Sequence, residues 1–215
     1  MRPKAYFLVL WLASSAIAEP PRPLRYVALG DSFTIGTGTT TDRAFPADLA
    51  KLWQGSRPLD LANLGVNGYS TQEILDLELP GAKKLHPELV TLAVGANDIV
   101  RGRVPEDYRE NVRSILEQLH AIGLRGGRIW VIPQPDWSRS PVAAAFGDPA
   151  TLAERIELYN SILRDEAIRA GSRWVDLFPL MRRQAQQGLV ADDGLHPSAA
   201  AYAEWAEALA KLSPD

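Results

Sequence analysis

"PELVTLAVG", residues 87–95, is almost unbroken in apolar residues. A half-exposed strand alternates apolar and polar positions, whereas one covered on both faces reads as a continuous run. The stretch therefore predicts the centre of a sheet with a layer on either side. Working outward, "LRYVALG" (24–30), "LDLANLG" (59–65), "GRIWVIP" (127–133) and "RWVDLF" (173–178) read as four further strands. Helical spacing fills the intervals. It covers "AFPADLAKLW" (44–53), a short helix opened by the capping-box pair Ser70 and Glu73 and running through Leu77, and a long helix over 105–122. Asp148 and Pro149 suit the cap and first position of a helix whose apolar face is Leu152, Ile156, Tyr159 and Leu163. Pro197 starts the last helix, through Tyr202, Trp205 and Leu209. Strands alternating with helices call for a parallel sheet covered on both faces, an α/β class.

At 215 residues the chain has the length of one domain with a substantial core, placed here at residues 24–213. The net charge of −3, without any basic block, argues against nucleic acid as a partner, since phosphate binding needs clustered Lys and Arg. Residues 1–18, "MRPKAYFLVLWLASSAIA", have the basic, apolar and small-residue parts of a secretory signal peptide. Residues 19–23 read as a stiff linker. The expectation is export to the periplasm or medium, without stable membrane insertion once the signal is cleaved. The chain has no cysteine, so it must hold together by its core alone.

In parallel α/β sheets the functional loops lie beyond the carboxyl ends of the strands. Polar groups stand at those places: Gly30-Asp31-Ser32 after the first strand, "NLGVNG" (63–68) after the second, "GAND" (95–98) after the third, and "DDGLHPS" (192–198) before the last helix. A serine hydroxyl needs a base, and histidine has the suitable pKa. Of three histidines, His86 lies ahead of a strand, at the wrong end of the sheet, and His120 falls near the end of a long helix, where a solvated surface position is expected. His196 remains. Asp193, three residues earlier, can fold back onto the imidazole; so can Asp192, and "DDG" is equally good turn chemistry. An oxyanion needs preset donors, and the Gly65 N–H, the Asn97 amide and the Ser32 N–H can supply three. Asp31 and Asp98, beside these groups, read as loop-fixing acids. Each feature also has a plain structural reading as a turn, a cap or a strand end.

Together "GDSFTIG", "NLGVNG", "GAND" and "DGLHP" resemble, in order, the four blocks of the SGNH hydrolases, the GDSL esterase and lipase superfamily. The resemblance implies a flavodoxin-like three-layer α/β/α sandwich with a five-stranded parallel sheet. It further implies Ser32 as nucleophile, His196 as base, Asp193 rather than Asp192 as its partner, and Ser32, Gly65 and Asn97 as oxyanion donors. Phe33 stands where the family name has leucine. No G-x-S-x-G elbow is present, which argues against the larger α/β-hydrolase fold. Neither metal nor cofactor is expected. The implied activity is hydrolysis of small-molecule, lipid or glycan esters: short-chain acyl esters, lysophospholipids or thioesters. Carbohydrate O-acetyl removal or transfer is the near alternative, and a non-catalytic ligand-binding module on the same fold is the alternative from another class. Possible pocket walls are Tyr69, Ile99, and Trp137 and Phe146 of the long 134–150 connection.

Overall fold

The computed structural model describes residues 22–54 and 57–213. The proposed signal peptide and most of the linker lie outside the described residues. Five parallel strands, β1 (Leu24–Gly30), β2 (Leu59–Asn63), β3 (Leu89–Ala93), β4 (Ile129–Val131) and β5 (Arg173–Trp174), form one sheet in the order β2-β1-β3-β4-β5. This is the flavodoxin-like order, and its topological switch point falls between β1 and β3.

The helices follow in sequence as α1 (Ser32–Ile35), α2 (Phe45–Trp53), α3 (Thr71–Glu73), α4 (Leu79–Lys84), α5 (Ala96–Val100), α6 (Pro105–Ala121), α7 (Pro149–Arg169), α8 (Phe178–Gln186) and α9 (Ala199–Ala210). Alternation along the strands divides the core. Val27 and Leu29 of β1, with Val90 and Leu92 of β3, face the layer of α4, α6 and α7. Tyr26 and Ala28, with Leu89 and Ala93, face α2, α8 and α9. Period-two alternation feeds both layers from the same strands, so the central strands show no polar face. The Tyr26 and Thr91 hydroxyls, buried on these strands, bond each other at 2.9 Å.

The sequence expectations hold for the five strands: β1 has the expected bounds, β2 and β5 end earlier, and β3 and β4 are shorter at both ends. Ser70 caps α3 with the expected reciprocal Glu73 bond, and Asp148 caps α7 through the Thr151 N–H. The helix opened by Ser70 continues past Leu77. It passes through a wider π turn at Ile74–Glu78 and then α4. Pro80, lacking an N–H, cannot close an ordinary turn there. The last helix starts at Ala199 with Ser198 as cap, two residues later than expected. Helix α8 follows β5 at once, where the sequence reading had none. His120 is half-buried rather than freely solvated: Nδ1 sits 2.9 Å from the Leu124 carbonyl and Nε2 3.3 Å from Ser172 Oγ.

Candidate active site

Strand β1 ends at Gly30, and the chain turns at once into α1. Asp31 is the N-cap, its Oδ1 accepting the Phe33 N–H at 3.0 Å. Ser32 is therefore the first residue of α1, and no acceptor for its N–H is found among the described residues. The His196 loop approaches from the far end of the chain. It is closed by the Ala191 N–H to the His196 carbonyl at 2.8 Å and the Ser198 N–H to the Leu189 carbonyl at 3.0 Å. Gly38, at φ +91°, lets this loop come close: a Cβ there would lie 3.0 Å from that of His196 and 2.7 Å from that of Ala191.

His196 Nε2 stands 2.9 Å from Ser32 Oγ, and Nδ1 stands 2.6 Å from Asp193 Oδ2. Of the two neighbouring acids, Asp193 is the one that meets the imidazole. Its other oxygen accepts the backbone N–H groups of Leu195 and His196, each at 2.9 Å. Partial burial pushes the Asp193 carboxyl up, but these N–H groups and the imidazole outweigh it and hold the group below the usual aspartate range. The Phe33 ring, 5.3 Å from the imidazole between centroids, covers one side.

Asn97 lies in the first turn of α5, after β3. Its Nδ2 donates to the Tyr69 carbonyl at 3.0 Å, which orients the amide and leaves one hydrogen unused. Gly65 lies in the loop just after β2. Its N–H already donates to Asn63 Oδ1 at 3.1 Å, while Asn63 Nδ2 holds the Thr34 carbonyl at 2.9 Å. A side chain at 65 would meet the Ile35 nitrogen at 2.8 Å, so close passage of α1 is itself a reason for glycine. Three residues on, Gly68 has an N–H without an acceptor among the described residues, and its carbonyl is bonded by Arg101 at 2.7 Å.

The cleft over Ser32 measures about 90 Å³ and is walled by Phe33, Val100, Trp137, Phe146 and Leu195 together with Asn97 and His196. Trp137 and Phe146 are thus where the sequence put them, in edge-to-face contact at 5.3 Å. Ile99 and Tyr69 are not on the wall. The Ile99 side chain is buried in the core, because successive helical residues are rotated by about 100° and Val100 takes the outward position. Tyr69 contributes its carbonyl to Asn97 rather than its ring to the cleft.

Behind the nucleophile lie three buried acids. Asp98 accepts the Thr71 N–H at 2.9 Å and the Thr71 hydroxyl at 2.6 Å, with Arg103 Nε at 2.7 Å, and so ties α5 to α3. Burial raises its pKa against these partners. Burial pushes Asp31 up to about 7, with the Asp98 charge adding to it. Glu78, which the sequence reading passed over, accepts the Gly30 N–H at 3.0 Å from within the π turn, and burial pushes it up to about 9. An acid inside an apolar helical run, "ILDLELP", was the available signal.

Strand order and site geometry together define the SGNH-type hydrolase fold. The profile of the GDSL-like Lipase/Acylhydrolase family matches residues 28–204, and the chain belongs to that family. Thioesterase 1/protease 1/lysophospholipase L1 of Escherichia coli K12 is 32% identical over 116 residues, 54% of this chain and 52% of that protein. The alignment thus spans about half the length of that relative. Among solved structures, TesA superposes with a TM-score of 0.70 at 23% identity, covering 86% of this chain and 95% of that one. The acetylxylan esterase Axe2 of Geobacillus stearothermophilus gives 0.69 at 18%, covering 87% and 93%. At these identities the superpositions establish the shared fold.

Proposed function

We propose that the protein is an exported serine esterase hydrolysing carboxylic esters through an acyl-enzyme intermediate. The observation that carries the proposal is the unbroken hydrogen-bond chain Ser32–His196–Asp193, at 2.9 and 2.6 Å. Ser32 Oγ attacks the carbonyl carbon while His196 Nε2 takes its proton, and Asp193 holds the ring and stabilises the imidazolium. The oxyanion rests on the Ser32 N–H and the free hydrogen of the Asn97 amide. The third donor belongs to the 65–68 turn: the Gly65 N–H once it leaves Asn63, or the Gly68 N–H. His196 then protonates the departing alcohol or thiol, and water retraces the route to free the acid.

A cleft of about 90 Å³ is small beside the roughly 300–1,000 Å³ of sites for drug-sized ligands. It suits a short acyl group, with the alcohol portion left outside. Export rests on the three-part pattern of residues 1–18; among the described residues no helix is long and apolar enough to cross a membrane. The structural likeness to an acetylxylan esterase favours one second reading, removal or transfer of carbohydrate O-acetyl groups, because an acetyl group fits the same cleft. A non-catalytic binding module would have no use for a serine bonded to an imidazole. A fluorophosphonate probe tests this directly: labelling at Ser32 in the folded protein is the expected result, and absence of labelling would favour the binding module. A panel of p-nitrophenyl esters with acetylated xylan, a lysophospholipid and an acyl thioester then ranks the substrates.

A further inference from the structure

The cleft over Ser32 is not the only space its walls enclose. Trp137 and Leu195 also line a second, smaller cavity of about 40 Å³, reaching back between α8, α9 and the 134–140 connection. Its far side is made largely of Met181, Ala185, Leu189 and Trp205. Of the polar groups there, Asp136 pairs with Arg139 and Arg182, at 2.9 and 3.1 Å, and Gln184 Oε1 accepts the Trp205 indole N–H at 2.7 Å, whereas Ser140 Oγ has no partner among the described residues. Trp137 and Leu195 are the residues that the two linings share.

Trp137 is held in an unusual way for a buried tryptophan. It is 4% exposed, yet its Nε1 has no hydrogen-bond partner among the described residues. Buried indole N–H groups usually find one. This ring is kept in place by packing alone, chiefly the edge-to-face contact with Phe146 on the short helical turn Ala143–Phe146. Replacing it with an aliphatic residue therefore strands no acceptor and removes only volume.

We propose that Trp137 is the residue that limits acyl-chain length: its indole closes the floor of the Ser32 cleft, and without it the cleft runs on into the apolar cavity behind. The inference rests on the esterase reading and specifies its substrate as an ester of a short acyl group. An acyl chain directed from the Ser32 carbonyl towards Trp137 stops at the ring. With the ring cut back, the chain passes between Leu195 and Met181 towards Trp205 and gains apolar contacts that one methylene at a time are worth about tenfold or more in discrimination. Phe146, 39% exposed, stays on the outer side of the ring and cannot replace it as a floor.

The test is a chain-length profile, kcat/KM on p-nitrophenyl esters from acetate to dodecanoate, for wild type, Trp137→Ala and Trp137→Leu. Wild type should decline steeply beyond butanoate. In Trp137→Ala the octanoate-to-acetate ratio should rise at least about tenfold, with Trp137→Leu between the two. Adding Ala185→Leu to Trp137→Ala, which refills the rear cavity from α8, should bring the ratio back down. Trp137→Leu keeps enough bulk to fold if Trp137→Ala does not, and it reads the same ratio. A folded, probe-labelled variant whose profile parallels wild type overturns the role of Trp137 while leaving the esterase reading intact. Absence of any Ser32-dependent turnover in wild type overturns the esterase reading, and this inference with it.

Discussion

Ser32 Oγ and His196 Nε2 stand 2.9 Å apart although 164 positions separate them in the chain. One belongs to the first turn after β1, the other to the loop that precedes α9. They meet because the parallel sheet puts the carboxyl end of β1 beside the central strand β3 and α9 returns along the face shared with α2. Each prediction below tests one consequence of that meeting.

Ser32→Ala and His196→Ala should each lower kcat on p-nitrophenyl acetate by about 10⁴-fold or more, and the double variant should lose little beyond either single one, because the groups act as a unit. Steady-state kinetics alongside thermal melts check this. Additive losses would mean the two side chains work independently.

Asp193→Asn should keep the loop shape, since Asn retains an oxygen for the Leu195 and His196 N–H groups. It should still cost about 10²-fold or more in kcat, because the amide no longer fixes the tautomer or stabilises the imidazolium. Asp192→Asn should leave the rate within about twofold, since Asp192 makes no contact with the ring. Equal losses at both positions would be inconsistent with the geometry described.

Asn97→Ala should reduce kcat by about 10²- to 10³-fold with little change in KM, the signature of a donor used in the transition state. For the third donor, the free Gly68 amide and the engaged Gly65 amide make different predictions. Asn63→Ala would release the Gly65 N–H, raising the rate if Gly65 is the donor. It would lower stability without raising the rate if Gly68 is.

Glu78 and Asp31 predict an inverse dependence of stability on pH. Their folded pKa values, about 9 and about 7, lie above the ordinary 4.5 and 3.8. As pH rises above about 4, the unfolded chain releases these protons while the folded chain keeps them, so the unfolded state gains and stability falls until the folded groups ionise. Glu78→Gln, which can still accept the Gly30 N–H, removes the larger part of that loss. Its Tm should exceed that of wild type by about 2–4 °C or more at pH 8, and by much less at pH 4. Equal shifts at both pH values would show that Glu78 is not a proton-holding acid.

The local pattern of the sequence determined much of this molecule. Apolar runs marked the inner strands β1, β3 and β4, because a parallel strand buried on both faces has few polar positions. Capping chemistry at Ser70 and Asp148 marked two helix starts, because an orphan N–H is satisfied by the nearest suitable oxygen. The placing of Ser32, Asn97 and His196 just after strands or before a helix already grouped them at one end of the sheet. What lay beyond local pattern was every question of facing and distance. Helix α8 was missed because "FPLMRRQAQ" is short and polar and is separated from the edge strand β5 by only three residues. Ile99 and Val100 are neighbours in sequence but one faces the core and the other the cleft, a choice made by how α5 is rolled against α7. The burial of Glu78 against a backbone amide 48 residues away depends on which segments arrive beside one another. Periodicity records which side chains avoid water; only the closed chain decides which of them touch, since contacts across long loops are set by packing the whole layer at once.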